Sequence, residues 1–168
     1  MGKDGAMTLW THYWRTVTAK DSERWRREEG DSTPLRVASG NLFVQRGVAA
    51  GDTVYAITYS MTGLRVLGRM VVGEIVDRKT ARKRLGREPW DATQHLMPVD
   101  RGATPLRFDA VVPSRRLKDV EFVSDGVVRG PLLTGDGVPD RQTFRGVREI
   151  TRTTANLFDD LLARSPTQ

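Results

Sequence analysis

Residues 9 to 15, Leu-Trp-Thr-His-Tyr-Trp-Arg, hold the densest set of chemically capable side chains in the chain. Trp and Tyr rings offer flat surfaces on which bases stack, at about 1–3 kcal/mol per base, or walls that enclose methylated groups. The plainer use of such rings is core filling, since aromatic and β-branched residues favour strands. The alternation puts Trp10, His12 and Trp14 on one face and Leu9, Thr11 and Tyr13 on the other, so a single core cannot take every ring. At least one ring is therefore expected at a pocket or partner. His12 has no Ser or Cys partner identifiable by spacing, and a lone His is more often a hydrogen-bonded structural group than a catalyst. Its ring suits donation to a base edge instead. Asn41, after Gly40, and Ser60 are the candidate polar partners, and Phe43 and Tyr59 complete the expected base pocket.

Other patterns exclude chemistry. Gly-Val-Ala-Ala-Gly-Asp, residues 47–52, lacks the Lys-Ser or Lys-Thr of a phosphate-binding loop and precedes a strand rather than a helix. Glu74, Asp77 and Lys79 have the residue types of a metal-dependent nuclease without the spacing. The chain has no Cys and two His, so disulfides, thiolate nucleophiles and Cys-ligated zinc are ruled out, and neither metal nor cofactor is expected.

Charge points to a polyanion. Lys and Arg number 27 against 21 Asp and Glu, a net +6. Arg78, Lys79, Arg82, Lys83, Arg84 and Arg87 fall within one acid-free stretch, as a phosphate-neutralising surface requires, although charge runs are commonly just solvated helix faces. Arg46, Arg141 and Arg145 are the further phosphate candidates, the last two in Arg-Gln-Thr-Phe-Arg-Gly-Val-Arg.

The elements that must position these residues follow from periodicity and punctuation. A strand is expected over Met7–Val17, a charged helix over Ala19–Glu29, and loop over Asp31–Gly51 with at most a helical turn at Asn41–Arg46. Asp52–Ser60 and Leu64–Val76 form the clearest hairpin, turning at Thr62-Gly63. Asp77 caps a basic helix to Leu85, which Gly86 and Pro89 end. Trp90–Thr104 reads as irregular, Leu106–Val112 and Val120–Val123 as strands, Gly126–Pro139 as loop, and Arg141–Arg148 as a strand before an amphipathic helix spanning Ile150 to Leu162. One hydrophobic core in one domain, residues 7–164, is expected, with flexible termini at 1–6 and 165–168. The class is α+β: a small mixed, largely antiparallel β-barrel with flanking helices. No apolar run nears the roughly 20 residues of a membrane span, and the amino end lacks a secretory signal, so a cytoplasmic protein is expected.

The aromatic first strand, Gly40-Asn41-Leu42-Phe43 through Arg46-Gly47-Val48, Gly51-Asp52-Thr53-Val54-Tyr55 and Val72-Gly73-Glu74-Ile75 together resemble the PUA-like superfamily, most nearly its EVE-type domains. Arg-Gln-x-Phe-Arg-Gly also looks like that family's last strand. The resemblance, over residues 8 to 163, implies a PUA-like barrel that, like the related YTH and SRA groups, holds a modified, typically methylated base in an aromatic pocket. The chain departs from the usual EVE opening in having Thr11-His12-Tyr13-Trp14 after its first Trp. The related ASCH branch includes proteins proposed to cleave RNA.

The first reading is thus a non-enzymatic reader of DNA or RNA, with a separately encoded nuclease as a partner suggested by the family. The second is a ribonuclease or small hydrolase using His12 with a carboxylate such as Glu74. The third is a protein-interaction module with exposed aromatics.

Overall fold

A computed structural model describes residues 5–29, 34–61 and 63–164. In chain order the elements are β1 (Leu9–Tyr13), α1 (Thr16–Glu29), β2 (Ala38–Gly40), α2 (Phe43–Arg46), β3 (Thr53–Ser60), β4 (Gly63–Val76), α3 (Arg78–Leu85), β5 (Gln94–Ala103), β6 (Phe122–Ser124), β7 (Val127–Arg129), β8 (Val147–Ile150) and α4 (Arg152–Ala163). Residues 1–4 and 165–168, within the expected flexible termini, lie outside the described residues, as does Thr62 of the hairpin turn.

The eight strands form one sheet in the order β2-β5-β4-β3-β1-β8-β6-β7. Among the described residues only β1–β3 is a parallel pair, so the sheet is mixed and largely antiparallel within an α+β fold. Among the described residues no pairing joins β2 to β7, so the sheet is not closed where a β-barrel was expected. Closure needs edge strands long enough to pair in a consistent stagger, and each edge here has three residues.

A single core was expected, but β3 is buried on both faces and separates two apolar clusters. Tyr55 and Ile57 join Leu9, Leu64, Phe122, Phe144 and the α4 residues Leu157, Phe158 and Leu161 on one side. Val54 and Ala56 join Trp10, Trp14, Phe43, Leu67, Met70 and Leu96 on the other. Helix α4 is held by apolar burial and by the Tyr55 hydroxyl and the Arg69 guanidinium, each 2.9 Å from Asp159 Oδ1. Burial, aided by that carboxylate, pushes the Tyr55 pKa up to about 12.

Several segments differ from expectation. Trp90–Thr104 is not irregular throughout: β5 fills Gln94–Ala103, hidden from period-two reading by Pro98, by register shifts against β4 and by Arg101 at φ 56°. Leu106–Val112 is not a strand. It runs along β4 through isolated bonds, Arg107 N to Leu67 O, Val66 N to Ala110 O and Val112 N to Leu64 O, between Pro105 and Pro113, which cannot donate to a ladder. The strand expected over Arg141–Arg148 begins as a 3-10 turn at Arg141–Phe144, capped by the Asp140 side chain, with only its end entering β8. The loop stretches Asp31–Gly51 and Gly126–Pro139 contain the short edge strands β2 and β7. Strand β1 stops at Tyr13, and α1 starts at Thr16, three residues before its expected start.

Candidate functional site

At the carboxyl end of β1 the sheet opens into a cleft of about 370 Å³, within the lower range for small-molecule sites. One wall is His12, Tyr13 and Trp14, continued by Arg15 and Thr18; the opposite rim is Ser39, Gly40 and Asn41; and Trp90, Asp91 and Ala92 close the third side. Trp14 and Trp90 also border a smaller hollow of about 190 Å³ behind them, so these rings are shared between two spaces.

The rims are stapled together by side chains. Asn41 Oδ1 accepts from the Thr93 amide at 2.8 Å and its hydroxyl at 3.1 Å, leaving the Asn41 NH₂ as the part able to serve a ligand. The Val44 amide donates to Gln94 Oε1 at 3.1 Å. Arg78 of α3 bonds Glu88 at 2.6 Å and Asp91 at 2.9 Å, which anchors the segment carrying Trp90. Gly40 sits in a tight spot: a Cβ there would stand 3.0 Å from the Phe43 ring and 3.4 Å from His12 Nε2, so these rings would have to shift to admit one.

His12 is the central polar group. The Trp14 indole N–H donates to its Nδ1 at 3.2 Å, and Phe43 packs edge-on with ring centroids 4.7 Å apart. Burial lowers its pKa to about 4, so the ring is neutral near pH 7. With Nδ1 accepting, the proton sits on Nε2, which has no hydrogen-bond partner among the described residues and lies beside Gly40 at the cleft. The site therefore presents a neutral N–H donor among aromatic rings. Glu74, the carboxylate suggested as its catalytic partner, is outside this lining and bonds Arg84 at 3.1 Å.

Of the expected base-pocket residues, the structure brings together His12, Tyr13, Trp14 and Asn41. Phe43 is fully buried behind His12 and supports it. Trp10 lies away from the cleft, packed in the core with its indole N–H 2.9 Å from Asp52 Oδ2. Tyr59 and Ser60 line a separate cleft of about 560 Å³ with Arg141, where Tyr59 stacks on Phe144 and the Arg141 guanidinium lies 5.7 Å from the Tyr59 ring centre. Sequence reasoning missed Ser39, Arg15 and Trp90. Only Trp90 left a trace, as a large ring directly after Pro89 in an otherwise polar stretch.

The expected phosphate contacts also divide. On α3, Arg78, Arg82 and Arg84 pair with Glu88, Asp91 and Glu74, which mutes that face; Lys79 and Lys83 have no such partner among the described residues, and Arg87 borders the smaller hollow. Arg46 and Arg145 instead meet Arg148 around a polar hollow of about 510 Å³ on β8. None of these three has a carboxylate within salt-bridge distance among the described residues, although Asp125 and Glu149 border the same hollow. Arg148 lies 4.1 Å from the Phe122 ring centre and donates to Thr143 O. Burial, then repulsion from Arg46, lowers the pKa of Arg148, so an anion here would relieve a like-charge conflict. The cluster flanks the cleft, because the Tyr13 amide donates to Gly146 O at 3.0 Å and His12 pairs with Val147. Compared with protein-family models, curated proteins and solved structures, the chain matches none.

Proposed function

We propose that this protein is a PUA-like, EVE-type reader that binds nucleic acid and holds one unstacked base, in its preferred target a modified one, in the His12–Trp14–Trp90 cleft. The observation that carries this reading is the neutral His12 Nε2–H facing an aromatic cleft beside three arginines; among the described residues the N–H has no hydrogen-bond partner and the arginines have no ion-pair partner. A base offers a ring face to the half-buried Trp90 and an acceptor to His12, while Arg46, Arg145 and Arg148 suit the adjoining phosphates. The hydrolase alternative is disfavoured, because an imidazole with a pKa of about 4 is a weak general base near pH 7 and Glu74 is engaged elsewhere.

The test is titration of the purified protein with matched DNA and RNA oligonucleotides, plain and methylated at adenine or cytosine, at two salt concentrations, read by Trp fluorescence. Quenching by one modified strand, with affinity that falls as salt rises, is expected. Salt-insensitive silence on every strand would sink the reading.

A further inference from the structure

The second histidine fixes the polarity of the opposite rim. His95, with 0% of its surface exposed, lies across the β2–β5 pairing from Ser39. Its Nε2 is 3.0 Å from Ala92 O, and its Nδ1 is 2.8 Å from Ser39 Oγ. A carbonyl oxygen only accepts, so Nε2 carries the proton. Burial lowers the His95 pKa, which keeps the ring neutral and leaves Nδ1 as an acceptor. The Ser39 hydroxyl proton must then point at His95. Ser39 makes no other hydrogen bond among the described residues, and its oxygen lone pairs remain for the cleft that it lines. The same burial makes His95 a poor acceptor of a full proton, so the pair is badly suited to activate Ser39 as a nucleophile.

We infer that Ser39 is the specificity-determining residue of the cleft: it presents an acceptor only, so a bound heterocycle must keep an N–H on the edge turned toward Ser39 and an acceptor toward the His12 Nε2–H. His95 acts through Ser39 as a positioning residue. The inference rests on the base-binding reading and sharpens it into a chemical rule. A base whose exocyclic amine is alkylated once still has its N–H and fits. Replacing that N–H by oxygen preserves the shape but sets one acceptor against another, and a site built for an N–H rejects such an analogue strongly because its own polar group is left unpaired.

The experiment compares near-isosteric nucleosides on the wild-type protein: N6-methyladenosine with 6-methoxypurine riboside, and N4-methylcytidine with its 4-methoxy counterpart. In whichever base series binds, the N–H member is expected to bind at least about tenfold more tightly. Ser39→Ala should shrink that gap by weakening the N–H member, with the melting temperature recorded to show that the variant is folded. Equal affinity of the two members of a binding pair, or an undiminished gap in folded Ser39→Ala, overturns the inference while the base-binding reading stands. No binding by any nucleoside or oligonucleotide overturns both.

Discussion

His12 ties the site to the stability of the chain. Its folded-state pKa of about 4 lies below the ordinary imidazole value of 6.5, so the unfolded chain binds the extra proton first. Stability is therefore full above pH 6.5, falls as pH drops toward 4 and levels off below that, with about 2 kcal/mol lost by pH 5. Denaturant melts of wild type and His12→Gln at pH 7 and pH 5 should show this loss in the wild type and a much smaller one in the variant. An equal loss in both would assign it to other groups. The same neutrality means that ligand binding through Nε2–H should be flat between pH 6 and 8.

Among elements, the joint between β1 and β3 depends on one carboxylate. Asp52 is 5% exposed and accepts from the Thr8 amide, the Trp10 indole and the Ala49 amide at 2.9, 2.9 and 3.0 Å. The two strands are parallel and have no hairpin turn to register them, so this clamp fixes how far β1 extends toward the cleft. Asp52→Asn would turn an NH₂ onto one or more of these donors and should lower unfolding stability by about 2–3 kcal/mol, measured by urea melts. The importance of Asp52 is legible in Gly51-Asp52 as a motif, whereas its indole partner is not, because Trp10 and Asp52 are 42 positions apart. Helix α3 shows the converse. Its cations stand out in the sequence, yet its acidic partners, Glu74, Glu88 and Asp91, lie before or after the helix and mute three of them only on folding.

At the scale of the whole molecule, the basic surface beside the cleft is gathered from α2, the β8 approach and β8 itself. Arg46→Ala with Arg145→Ala should weaken oligonucleotide binding across sequences and reduce the log–log salt slope by about 1.4 to 1.8, the expectation for two lost phosphate contacts. Arg82→Ala with Arg84→Ala, whose wild-type charges are paired, should change the slope less. A larger effect from the α3 pair would relocate the phosphate surface.

The sequence by itself determined the α+β class, the β3–β4 hairpin, the closing helix and the concentration of rings around His12, because these depend on local periodicity and punctuation. Only the tertiary structure decided that the sheet is open, that it buries both faces, and that Trp10 leaves the cleft for Asp52 while Trp90 enters it. It alone decided the protonation pattern of the rims. Which nitrogen of His12 or His95 is left over depends on what Trp14 and Ala92 bring to the other one, and that is a property of the packed rings and loops rather than of any residue's neighbours along the chain.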